Sequence, residues 1–253
     1  MTMPTRSLTC AVVLATLLSA CGRNSDAAAP TTRLPASPSY ELVTEVRPES
    51  VSDFFKLSRS RYDGCVLLAE TKKLPVQPFM TLPEDFVVTR TTYVSDGKSF
   101  FEQVQTFYLD DSGLTPEQGC ATAIGSDRSA SAVHKGMQKS LNAPVPGQTV
   151  EPPADAMVAA PDPAKLASYT LSKTIHGVQV KCAESGPADP IGSERCIVDP
   201  SKGVIARADG EPVLVNVRHN AATGLHNTLL ITQPVKLNVG QHIDPAIFER
   251  AVK

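Results

Sequence analysis

Cysteine and histidine are the residues with which this 253-residue chain could do chemistry. It holds six cysteines: Cys10, Cys21, Cys65, Cys120, Cys182 and Cys196. None stands in a Cys-x-x-Cys pair, the commonest spacing of a structural zinc site. His219 and His226 flank a glycine-bearing loop and could bind a metal. No carboxylate or third ligand is near them, so they read as loop histidines, as do His134, His176 and His242. Asp96-Gly97-Lys98-Ser99 ends like a phosphate-binding loop, but Thr92 stands where that motif needs its first glycine. Gly125-Ser126-Asp127 and Gly192-Ser193-Glu194 lack the frame of a nucleophile elbow. Asp110-Asp111 and Glu84-Asp85 fall at strand ends, where solvated acids are ordinary. The expectation is no catalytic residue, no metal ligand and no cofactor.

Cys21 is different because of what precedes it. Met1 to Ser7 carries Arg6 and no acid, Leu8 to Leu18 is apolar apart from Thr9, Cys10 and Thr16, and Ser19 and Ala20 are small. That is the layout of a secretory signal peptide over residues 1–20. The apolar run is about half the ~20 residues a membrane-spanning helix needs. Leu18-Ser19-Ala20-Cys21 resembles the lipobox of bacterial lipoproteins at every position. The resemblance implies diacylglycerol on the Cys21 sulfur, cleavage before Cys21, and palmitate-type acylation of the new N-terminus. Each buried methylene adds roughly 0.8 kcal/mol, so two or three chains make a nearly permanent anchor. Gly22 rather than an Asp after the cysteine implies delivery to the outer membrane, facing the periplasm.

The remaining chemistry is oxidative. With Cys10 removed and Cys21 acylated, Cys65, Cys120, Cys182 and Cys196 are left, and an even number in an exported chain reads as two disulfides. Three pairings are open. Cys65–Cys120 with Cys182–Cys196 is favoured because each pair stays within one half of the chain. With 24 basic and 26 acidic residues and no basic tract, nothing points to nucleic acid. Trp is absent, which argues against a stacking platform for sugars or bases.

The elements follow from composition and period. Residues 21–39 are rich in Ala, Pro, Thr and Ser and read as a disordered tether. A β-rich first half spans 40–142. Ser50 caps a short helix with Asp53 at its third position, ending before Tyr62-Asp63-Gly64. Cys65 to Ala69 reads as a buried strand. Phe86 to Val94 and Phe100 to Leu109 flank the hairpin signal Asp96-Gly97. Thr115 to Gln118 reads as a short turn feeding a strand over Cys120 to Ile124, and Ser129 to Leu141 as a polar edge strand. The six prolines from Pro144 to Pro163 make 143–165 a linker or long loop. The second half, 166–253, is antiparallel. Strands are expected at Tyr169–Leu171, Val178–Cys182, Cys196–Val198, Val204–Ala208, Val213–Arg218, Thr228–Thr232 and Val235–Val239. Asp244-Pro245 starts a short terminal helix that Ile247 and Phe248 dock.

The fold class is therefore mainly β (α+β): a curved antiparallel meander sheet or half-barrel, with a few short helices and a proline-rich insert. The turn and strand Gly177-Val178-Gln179-Val180-Lys181-Cys182, the hairpins and the closing Asp244-Pro245-Ala246-Ile247-Phe248-Glu249 resemble the tail of envelope lipoprotein carriers of the LolA, LolB and RseB groups. That resemblance implies a curved sheet closed by helices over an apolar cavity, and carries over no binding residue. The function expected is non-catalytic binding in the cell envelope, of a lipid, a lipoprotein or a protein partner on the concave face. The alternative is an assembly accessory meeting envelope proteins through sheet edges or the proline-rich segment. A hydrolase with an unrecognised site is the third reading.

Overall fold

The computed structural model describes residues 37–142, 154–183, 194–220 and 228–249. Residues 1–20, Cys21, most of the expected tether, Pro144 to Pro153, the loop at Gly186 to Gly192 and His226 lie outside that range.

The described chain is mainly β and forms one open antiparallel sheet of eleven strands. Its strands are β1 (Tyr40–Pro48), β2 (Thr89–Ser95), β3 (Phe100–Asp110), β4 (Ala123–His134), β5 (Met137–Ser140), β6 (Ala154–Asp155), β7 (Tyr169–Ile175), β8 (Val178–Ala183), β9 (Arg195–Val198), β10 (Leu214–Asn220) and β11 (Leu229–Val239). Their order is β6-β5-β4-β3-β2-β1-β11-β10-β9-β8-β7. Two meanders are thus joined where β1 pairs with β11, Leu42 opposite Leu237. Strands on both sides of the proline-rich stretch belong to the same sheet.

Alternation along β1 explains the two faces. Tyr40, Leu42 and Thr44 are buried on the inner face. Because opposed residues share a face, that face also carries Phe100 and Val133. They join Val180, Cys182, Cys196, Val213 and Val215 in one core cluster. Two connecting segments run across the inner face and cover part of it. Ala159 N–H donates to the Ala208 carbonyl at 2.8 Å, and Tyr40 Oη donates to the Ala206 carbonyl at 2.6 Å. The outer face of β2–β4 is covered by the 3-10 turn Pro245–Phe248, whose Phe248 is fully buried against Val94, Phe101 and Ala132. Asp244 caps it by accepting from Ala246 N–H.

A small helical lobe sits where β1 ends. Ser50 accepts from Asp53 N–H and caps α1 (Val51–Phe54). The helix α2 (Lys56–Thr71) follows, and a third, α3 (Pro163–Leu166), precedes β7. The expected strand at Cys65 to Ala69 is helix instead, and the helix does not stop at Gly64. Tyr62, Cys65 and Ala69 are its buried stripe, three and four residues apart, while Leu67 and Leu68 face water.

Four other expectations change. The strand after the Pro116–Gln118 turn starts at Ala123, not Cys120. Ser129 to Leu141 is a hairpin of β4 and β5 rather than one edge strand. Val204 to Ala208 is one of the inner-face segments, carrying only the isolated bridge Ala206–Pro212. Thr228–Thr232 and Val235–Val239 are one strand, β11, continuous through Pro234. The β1–β11 register shifts beside it, with Val43 opposite Lys236 and Thr44 opposite Pro234. Val235 is the extra residue, and a bulge is where a strand tolerates proline.

Candidate functional site

Both disulfides pair as favoured. Cys65–Cys120 ties α2 to the turn before β4. Cys182–Cys196 joins directly opposed residues of β8 and β9. Glu194 lies beside the second bridge, within metal-ligand range of both sulfurs. Each sulfur is already bonded to the other, and Glu194 is held by Lys173 Nζ at 2.8 Å, so the cluster is a filled disulfide rather than a thiolate site.

One constellation was missed in the sequence. Ser99 Oγ lies 2.8 Å from His134 Nδ1, and His134 Nε2 lies 3.4 Å from Glu249 Oε1. Serine, imidazole and carboxylate stand in the order of a hydrolytic relay. The surroundings do not suit one. Ser99 is 4% exposed. Its own N–H is taken by Asp96 Oδ1 at 2.6 Å. His134 stacks on Phe248, and Lys135 Nζ reaches Glu249 at 2.8 Å. The hydrogen bond from Lys135, with its charge, holds the Glu249 carboxyl below its usual range. The group clasps the C-terminal turn onto the β2–β3 and β4–β5 hairpins. The remaining described histidines are scattered: His176 Nε2 sits 2.9 Å from Gln233 Oε1 at the β7–β8 turn, and His242 precedes the terminal turn.

The outer face holds a buried carboxylate. Glu45 lies opposite Arg90 in the β1–β2 register and two residues from Arg47 on the same face. Arg47 approaches one oxygen and Arg90 the other, both at 2.6 Å. Burial pushes the Glu45 carboxyl up, but the hydrogen bonds and charges of Arg47 and Arg90 outweigh it and hold it below the usual carboxylate range. Both guanidiniums line a recess of about 340 Å³ with Phe86, Phe107 and Ile124. An incoming anion would have to compete with Glu45 for them.

Two further recesses among the described residues have apolar linings. The larger, about 640 Å³, lies between α1, the start of α2 and the loop before β2, lined by Val51, Phe55, Phe79, Met80 and Leu82. Arg59 stands at its wall with its guanidinium over the Phe79 ring at 5.0 Å, and Glu84 completes the lining. The second, about 480 Å³, opens on the inner face between the starts of β8 and the ends of β9 and β11. Its apolar lining is Val178, Val198, Ile205, Leu237 and Val239, and Gln179, Asp199, Ser201 and Lys202 are its polar lining. Val198 and Ile205 belong to the main core, so the recess opens directly onto it.

The two recesses sit at opposite ends of the strands. The described chain joins the sheet beside the inner-face cleft: Ser37 Oγ donates to the Val204 carbonyl at 3.1 Å, and Gly240 N–H to the Ser39 carbonyl at 2.8 Å. The helical lobe is at the far end, with Arg61 bound to Asp111 just past β3. No helix among the described residues is long and apolar enough to cross a membrane.

No protein-family model matches this chain, and comparison with curated proteins and with solved structures gives no match.

Proposed function

We propose that this protein is a bacterial envelope lipoprotein, held through acylated Cys21 in a membrane, that binds the acyl chain of a lipid or lipoprotein without chemistry. The observation that carries the reading is the inner-face cleft. Its volume of about 480 Å³ falls within the roughly 300–1,000 Å³ of small-molecule sites. Five aliphatic side chains line it together with the polar residues Gln179, Asp199, Ser201 and Lys202, a mixture that offers an acyl chain apolar contact and a head group polar partners. Each methylene transferred into it gains roughly 0.8 kcal/mol. The cleft also lies where residue 37 meets the sheet.

The test uses the absence of Trp from the chain. Val239→Trp places a single indole at the cleft mouth, where Val239 is 38% exposed. Adding a long-chain fatty acid should shift its emission to the blue and saturate. A Val239→Trp, Leu237→Glu chain should respond at least about tenfold more weakly, the cost of a charge set against an acyl chain. A linear response without saturation, or one indifferent to Leu237→Glu, would remove the reading.

A further inference from the structure

The two edges of the sheet are built differently. At one end β6 has only the two residues Ala154–Asp155, and the chain then turns onto the inner face through Ala156 N–H to Gly136 O. Very short edge strands are a common way to prevent edge-to-edge pairing. At the other end stands β7, seven residues long with the sequence YTLSKTI. It contains no proline. Its one bulge lies between Tyr169 and Leu171, leaving Leu171 to Ile175 in regular register with β8. Its one charge, Lys173, is neutralised by Glu194 at 2.8 Å. Among the described residues, no backbone hydrogen bond reaches β7 from its outer side.

We propose that β7 pairs antiparallel with β7 of a second copy, centred on Ser172, so that one sheet runs through two chains. The strand's own sequence selects that register. Centred on Ser172, Leu171 faces Lys173 of the other copy, and these central pairs lie within the regular stretch from Leu171 to Ile175. The aliphatic stem of lysine can cover Leu171, which is 41% exposed. Centred on Lys173, the two lysines would be directly opposed, which is destabilising. Centred on Leu171, the bulge residue Thr170 would stand opposite Ser172, beside the centre of the new ladder. A single strand pair buries less than the roughly 1,200–2,000 Å² of a stable complex, so the association is reversible. It does not depend on the cleft or on the anchor.

The experiment is sedimentation of the purified full chain with oxidative trapping. The unmodified chain should dimerise as its concentration rises to about 300 µM. Ser172 is exposed and its Oγ accepts from Lys181 Nζ, so substitutions there leave the core alone. Ser172→Cys should form an intermolecular disulfide above the background of the unmodified chain, since directly opposed residues lie within bridging distance. Ser172→Glu and Ser172→Lys should each weaken self-association at least about tenfold, and an equal mixture of the two should restore it. A chain that stays monomeric at that concentration would overturn the proposal. So would a dimer that persists in both charged variants, or a Ser172→Cys chain that does not cross-link.

Discussion

Glu45 shows how one residue can set a stability limit on the outer face of the sheet. Its carboxylate is buried and shared between Arg47 and Arg90. Because its pKa is lowered in the folded state, the stabilisation is fully present above the unfolded carboxylate value. It is lost as pH falls through the lower folded value. Glu45→Gln should cost about 1–3 kcal/mol near neutral pH in urea unfolding. It should also flatten the decline of stability below about pH 5. Tyr40 is the inner-face counterpart: burial, with the nearby Tyr93 and Glu102, pushes its phenol up, so it stays a donor. Tyr40→Phe leaves the Ala206 carbonyl unpaired, and should cost about 1–2 kcal/mol by the same measurement.

At the level of elements, the helical lobe is where sequence and structure part. Tyr62, Cys65 and Ala69 mark a helical stripe, but five consecutive apolar residues do not distinguish a buried strand from a helix, and Gly64 reads as a stop. A substitution separates the two. Leu67 is 67% exposed, so Leu67→Lys should change stability by less than about 0.5 kcal/mol in thermal or urea unfolding, whereas a buried strand would not survive it. Removing Cys65–Cys120 with a double alanine variant should cost up to roughly 4 kcal/mol in the loop-closure model. Amide exchange should then rise in α2 before it rises in β1–β3. The β elements were far more legible. Asp96-Gly97 and His176-Gly177 mark turns that demand positive φ, which Gly97 and His176-Gly177 adopt. Asp244-Pro245 marks the terminal turn. Pro234 misled because a bulge arises from the pairing of two distant strands and has no local signature. Val204 to Ala208 has strand composition, yet it fills the inner face because the core needs its apolar side chains there more than the sheet needs another strand.

For the whole molecule, the sheet orders its recesses along the strand axis, with the apolar cleft where residue 37 arrives and the aromatic groove beyond β1. Neither recess was legible in the sequence, since each draws its lining from segments up to scores of residues apart. The same holds for Ser99, His134 and Glu249, which the β3–β4 register and the terminal turn bring together. The anchor is a proposal that rests on Leu18-Ser19-Ala20-Cys21 alone, outside the described residues. Mass spectrometry of the membrane-extracted protein should give an N-terminus at Cys21 carrying a diacylglycerol, and Cys21→Ser should leave the chain unprocessed.

The most direct measurement is photolabelling of the full chain in native membranes with a fatty acid bearing a diazirine near its tail. Label should map to peptides holding Gly177 to Gln179, Val198 to Ile205 and Leu237 to Val239, and fall away in the Leu237→Glu chain. Label confined to the groove of Val51, Phe55 and Phe79, or no more label than a short-chain control gives, would contradict acyl-chain binding on the inner face.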